Sequence, residues 1–378
     1  MVGGDPWINL DGRLNAPVGT VQHPHLLDLS SATQEFGMTY VTRPPWRVSG
    51  VDYPVGVNSN VTLQDPLPGG SSLAAALVAL GGSTSGSPID TIIFGSGLNN
   101  GTLNAWDFSL HNGLRVELIG VSGATIQNCN WKVGSNNQQP LIIDDACTNC
   151  TLKYCVLDGG GNTTTGFTGA STAGIMDSNC HGTFTVQYNW FKHAPAEGLR
   201  TANSVNGTTA LDLRFNIIED CGTASVGSGG AIHGDMIQSF SASGQGDCTL
   251  WQADFNLWLQ TQASTIAGAQ GLSCYTANVG SQLSPSVVRS IRQANNTLIA
   301  PTGTNMSPML MVDTCWLNGS AFVDSNYIDP TGCAGGAAAA VDIGLINGGT
   351  DGPGGNGVVT GTSTGNHGTN MLTGASIP

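Results

Sequence analysis

A short phrase recurs along this chain without a constant period: apolar–polar alternation, then Asn, then an apolar pair. It reads TVQYNWF at Asn189, DLRFNII at Asn216, WQADFNLW at Asn256, IRQANNTL at Asn296 and FVDSNYI at Asn326. A weaker copy, TIQNCNW, centres on Asn130, and LKYCVL places Cys155 in the Asn slot. From Asn189 onward the intervals are 27, 40, 40 and 30 residues. Each phrase carries the period of two that marks a strand. Asn is the residue besides glycine that best tolerates a left-handed backbone, so the phrase reads as strand, Asn turn, strand. A chain that repeats this unit winds a coil, and the expected fold is an all-β parallel solenoid. Such a coil suits attachment to extended polymers.

The bulk numbers agree with many short buried strands linked by tight turns. Gly is 54 of 378 residues, 40% of the chain is hydrophobic and only 10% is charged. Disorder has the opposite signature, low hydrophobicity with high charge. The net charge is −14, with no cluster of cations, which argues against nucleic acid because that binding needs grouped Lys and Arg. No apolar run has the length of a membrane span. The start, MVGGDPWINLDGR, lacks a cationic segment followed by an apolar one, so no signal peptide is expected. Of the ten cysteines, Cys147 and Cys150 form a lone CxxC; with no second pair, neither a structural metal nor any other cofactor is expected. The thiols read as small apolar core residues, or as disulfides in an oxidising setting.

Three regions differ in texture. Residues 1–70 hold Pro45, Pro54, Pro66, Pro68 and the segment TRPPWRVSGVDY, and read as an irregular docking leader. Residues 71–346 hold the repeats, opened by GGSSLAAALVALGG. There Ser71 or Ser72 is a candidate N-cap, Leu73 to Leu80 favours a short capping helix, and Gly81-Gly82 stops it. Residues 347–378 form a Gly-rich tail. It is expected to extend freely or to order as a strand against a partner.

The phrases TVQYNWFKHAPAEGL, LRFNIIEDCG and IHGDMIQSF resemble the right-handed parallel β-helix proteins of the pectate-lyase-like group, in the style of bacteriophage tailspikes. The resemblance covers about residues 90–346 and implies a right-handed parallel β-helix. It leaves function open among polysaccharide lyases, glycoside hydrolases and virion parts. Many relatives open a strand with Gly-Asp-Gly-Ile-Gln; here Gly234 to Gln238 reads Gly-Asp-Met-Ile-Gln.

Glu197 lies eight residues after Asn189, and Asp235 lies nineteen after Asn216. Setting aside the insert TASVGSGGA brings both to one corner on successive rungs, and rungs are spaced by about 4.8 Å. Two carboxyls that close supply one acid and one base, the pair glycoside hydrolysis uses. His193 and His233 flank that corner as proton relays. Arg200 and Gln238, in register with each other, are the candidate substrate-binding residues, with Arg200 suited to an acidic sugar. The architectural alternative is that these polar residues simply bond turn backbone. Trp190, Trp251, Trp258 and Trp316 read as core, with a sugar-stacking platform as the alternative.

The expected role is a structural or host-surface-binding component of a phage-type virion: a spike, fibre or capsid or tail decoration. It would be homo-oligomeric, such as a trimer, with other virion subunits or host surface polysaccharide as partners. An extracellular polysaccharide hydrolase, or less readily a lyase, is the alternative.

Overall fold

The structure, a computed structural model, describes residues 55–134, 139–160, 174–202, 207, 209–222, 234–241, 248–260, 271–276, 288–294, 296–299, 310–314, 317–324, 326–329, 341–343, 360–362, 368–370 and 375–377. Most of the expected leader and His233 lie outside them.

The described residues form an all-β chain with almost no helix, and its strands fall into three main sheets of ten, nine and seven. The chain visits the sheets in turn. Glu197–Ala202 lies in the first sheet, Thr209–Arg214 in the second and Ile217–Glu219 in the third, and Ile237–Ser241 returns to the first. Each of these four strands pairs in parallel with its counterparts from the preceding and following circuits. Register is held residue for residue: Leu152 opposes Val186, Val186 opposes Leu213, and Leu213 opposes Ala253. These four, with Ile126, are fully buried in one continuous core. Their alternation with Lys153, Gln187 and Arg214, which are not buried, follows from the period-two geometry of a strand.

The turn between the second and third sheets explains the recurring phrase, and corrects its reading. The left-handed residue is not the Asn. It is the residue before it: Tyr188, Phe215 and Phe255 have φ of 58°, 59° and 58°, and Tyr154 has 54°. The Asn that follows is buried and makes a ladder along the molecule. The backbone N–H and the side-chain amide of Asn189 both donate to Asn216 Oδ1 at 3.0 Å. Asn216 does the same to Asn256, Asn256 to Asn296, and Asn296 to Asn326. Each amide also donates to a carbonyl of the second sheet, as Asn256 does to Leu213.

Cys155 occupies the Asn slot as its sequence indicates, its N–H donating to Asn189 Oδ1 at 3.0 Å. One circuit earlier the slot belongs to Cys129, whose N–H faces Cys155 Sγ, and not to Asn130, which opens the next strand. A bulky residue in the left-handed region is strained. Here the strained side chains stack on one another: Tyr154, Tyr188, Phe215 and Phe255 follow at centroid distances of 5.0, 5.0 and 5.3 Å, an offset that contributes beyond burial.

Seven cysteines have described side chains (129, 147, 150, 155, 180, 221 and 248), and all are free and buried in the core. Disulfides are therefore not formed by these seven, which act as small apolar fillers. Trp131, Trp251 and Trp258 are fully buried. Trp190 and Trp258 do not share a packing site: Trp258 pairs with Ile218 and joins the main core, whereas Trp190 pairs with Ile217 on the opposite face.

The start of the described chain covers that opposite face. Val55 is fully buried against Val156, Tyr188 and Trp190, and the Gly56 N–H donates to the Tyr188 carbonyl at 2.9 Å. Gly56 has φ +74°, and a Cβ there would meet Val156 Cγ2 at 2.8 Å, so glycine is required twice over. The segment then reaches the end of the third sheet, where Gln64 bridges to Trp106. The helix that follows is shorter than its sequence suggests, Ala75–Ala79. It begins after Ala74 without a side-chain cap, while Ser71 and Ser72 stay exposed. Leu77 drops from it into the core. Among the described residues no helix is long and apolar enough to cross a membrane. Within the tail, Thr360–Thr362 pairs in parallel with Ser320–Phe322.

Replacing Asn256 by Ala strands a buried N–H of Asn216 and a buried carbonyl of Leu213, each costing about 1–3 kcal/mol. Urea denaturation should show a loss on the order of 3 kcal/mol or more, against a few tenths for the exposed Thr183→Ala. Equal losses for the two variants would refute the ladder's energetic role.

Candidate functional site

Three consecutive strands of the third sheet, Val156–Asp158, Trp190–Lys192 and Ile217–Glu219, end in charge. Asp158, Lys192 and Glu219 occupy one column, in register on successive circuits. The next residue in each of the two later circuits, His193 and Asp220, is left-handed at φ of 52° and 53° and starts the corner toward the first sheet. This bend turns the His193 ring back across the column. Its Nδ1 lies 3.3 Å from Asp158 Oδ1 and its Nε2 3.5 Å from Glu219 Oε1. Lys192 Nζ lies 3.6 Å from Asp158 Oδ2 and 4.3 Å above the Trp190 ring. The Trp190 indole N–H donates to Glu219 Oε2 at 2.9 Å.

These contacts set the proton affinities. The hydrogen bond to Asp158, then Glu219, pushes His193 up to about 9 against the opposing effect of burial. Burial raises the Glu219 carboxyl above the usual range, Asp220 adds to this, and His193 and Trp190 oppose it. Burial also works to raise Asp158, but His193, the Gly160 N–H and Lys192 outweigh it and the carboxyl is held low. The His193 side chain keeps a third of its surface exposed, while Glu219 keeps almost none.

Asp158 and Lys192 also line a groove of about 390 Å³ between residues 57–63 and the outer face of the third sheet. Asn58, Ser59, Ser109, Asn130 and Lys132 contribute its polar wall. The volume falls in the range of ligand sites.

The corner expected from the sequence is assembled only in part. The Gly198 N–H donates to the Asp235 carbonyl at 3.1 Å, and Leu199 opposes Ile237, which puts Glu197 and Asp235 side by side on successive circuits. Arg200 opposes Gln238, with Asp177 on its other side. Burial raises the Asp177 carboxyl, and Arg200 partly offsets this. Glu197 and Asp235 are each only 1% exposed. They lie close enough to the buried Cys221 thiol to help burial and Asp220 raise it. His193 does not join them, because its ring is committed to Asp158 and Glu219.

Asp158, Lys192 and Glu219 were not singled out from the sequence. The available signal was the third position after each ladder residue: Cys155, Asn189 and Asn216 lead to Asp, Lys and Glu. No known protein family, curated protein or solved structure matches the chain.

The two shifts beside the groove give stability opposite pH dependences. The His193 contribution is complete below its ordinary value of about 6.5 and is lost as pH rises through about 9. The Asp158 contribution is present above the ordinary carboxylate value and is lost as pH falls through its depressed one. In chelator-treated buffer, the stability gap between wild type and His193→Ala should hold steady near pH 6 and shrink toward pH 10. A gap that grows with pH would contradict the assignment.

Proposed function

We propose that the chain is a right-handed parallel β-helix whose groove binds an extended saccharide bearing carboxylate groups, as a structural, surface-binding subunit of a phage-type particle. The cyclic order of the three sheets supports the coil, and right-handed crossover is the rule for parallel strands joined in one sheet. The particle setting rests on the repeat texture shared with tailspikes, and partner subunits and self-association belong to the same reading.

The observation that carries the binding reading is a concentration of charge. The chain has a net charge of −14, yet two of its three lysines, Lys132 and Lys192, line this one groove. With Asp158 offsetting Lys192, the lining keeps one net positive charge, at Lys132, among amide and hydroxyl groups, which fits a sugar chain with scattered acidic groups better than a neutral one. Aromatic stacking is not the basis of the site, since Trp131, Trp251 and Trp258 are core and Trp190 is covered. Binding without cleavage is preferred to hydrolysis, because the burial of Glu197 and Asp235 leaves a polymer no approach to them.

Titration calorimetry against matched acidic and neutral oligosaccharides tests this. The acidic member should bind more tightly, salt should weaken it, and Lys132→Glu should reduce its affinity by about tenfold, the effect of roughly 1.4 kcal/mol. Equal affinity for both members, or no effect of Lys132→Glu, would sink the reading. Peptide mass spectrometry of purified particles from the source tests the setting independently, and absence of the chain from them would remove it.

A further inference from the structure

His193, Glu219 and Asp220 each point a donor atom at one small volume. One imidazole nitrogen and one oxygen from each carboxylate all lie within 4.8 Å of one another. A divalent ion bonded at about 2.0–2.2 Å to nitrogen and oxygen donors holds them up to about 4.4 Å apart, so the trio needs only a small contraction. The His193 Nε2 to Glu219 Oε1 distance of 3.5 Å is already inside that span.

Residues outside the trio orient two of the three donors. Asp158 lies on Nδ1 of His193 and holds that nitrogen as a donor, so a metal would take Nε2, which faces Glu219, in place of its proton. Trp190 donates to Oε2 of Glu219, which fixes that carboxylate and turns Oε1 toward His193. A carboxylate behind a ligating histidine and a hydrogen bond behind a ligating carboxylate are the outer supports that metal sites use. The charge balance has the same sense. Glu219 and Asp220 are adjacent, and 2% and 1% exposed, and a divalent ion would bring one charge more than the single proton that the His193 ring sets against Glu219.

We propose that His193, Glu219 and Asp220 bind a first-row divalent cation at the corner between the third and first sheets. One imidazole and two carboxylates, with no thiolate, suit Zn²⁺, Mn²⁺ or Co²⁺ rather than Cu⁺, and the imidazole disfavours Ca²⁺. The third of the His193 side chain that stays exposed is the entry path. The ion sits beside the saccharide groove, bridged to it by Asp158, and does not depend on the saccharide reading.

The test uses the full chain, stripped with chelator and dialysed against Zn²⁺ alone, with bound metal measured by elemental analysis. Wild type should retain one equivalent. Glu219→Gln, which keeps an acceptor for Trp190, should lose it. Asp158→Asn, which touches no proposed ligand atom, should weaken binding by about 10- to 100-fold, with far-UV circular dichroism unchanged in both. Substitution with Co²⁺ reports the donors, and weak visible bands without sulfur charge transfer are expected. Sulfur charge transfer, retention of the metal by Glu219→Gln, or no binding by wild type would each overturn the proposal.

Discussion

The structure depends on a column of side-chain amides buried where the chain turns from the second sheet to the third. A turn repeated on every circuit would leave a backbone N–H and a carbonyl without partners in the core, and each such orphan is costly. Asn meets both needs with one side chain. Its oxygen accepts two N–H groups from the preceding circuit, and its NH₂ donates to a carbonyl and to the next Asn, as in the run from Asn189 to Asn326. Cys155 and Cys129 fill the same column where a thiol is enough to pack, at the end of the run. The column also explains why intervals of 27 and 40 residues coexist. Only the turn is fixed, and length is absorbed at the other two corners.

Fixing that turn has a consequence on the outer face. The residues before Cys155, Asn189, Asn216 and Asn256 are left-handed, and aromatic rings occupy these positions, so their stack emerges on the outside of the third sheet beside Trp190. An apolar stripe of that size needs cover. Val55 and the tight approach of Gly56 begin that cover, and residues 57–63 continue it at a greater distance, leaving the groove. The candidate site is thus a by-product of the ladder: the strand ends set Asp158, Lys192 and Glu219 in a column, and the same circuit geometry curls His193 across it.

Much of the architecture was legible because period-two alternation and the recurring Asn are local signals. Even the substitution of Cys155 into the ladder could be read. The left-handed residue was misplaced because single-residue propensity favours Asn there, while the stacking that lets Tyr188 and Phe215 hold it exists only between circuits. Asn130 was mistaken for the ladder residue for the same reason, since only pairing shows that Cys129 holds the slot. The side-by-side placement of Glu197 and Asp235 was legible from their offsets. Their burial was not, and neither was the bend that takes His193 to Asp158 and Glu219, because both depend on how corners fold over one another.

The central claim is that the amide column holds successive circuits in register. Site-resolved hydrogen exchange tests it directly, since the N–H groups of Asn189, Asn216 and Asn256 each end on the next Asn side chain. These amides should be among the slowest to exchange, opening only with global unfolding. Exchange at the rate of exposed turn amides such as that of Gly69 would mean that the column is a passive feature of the turn and that register is set elsewhere.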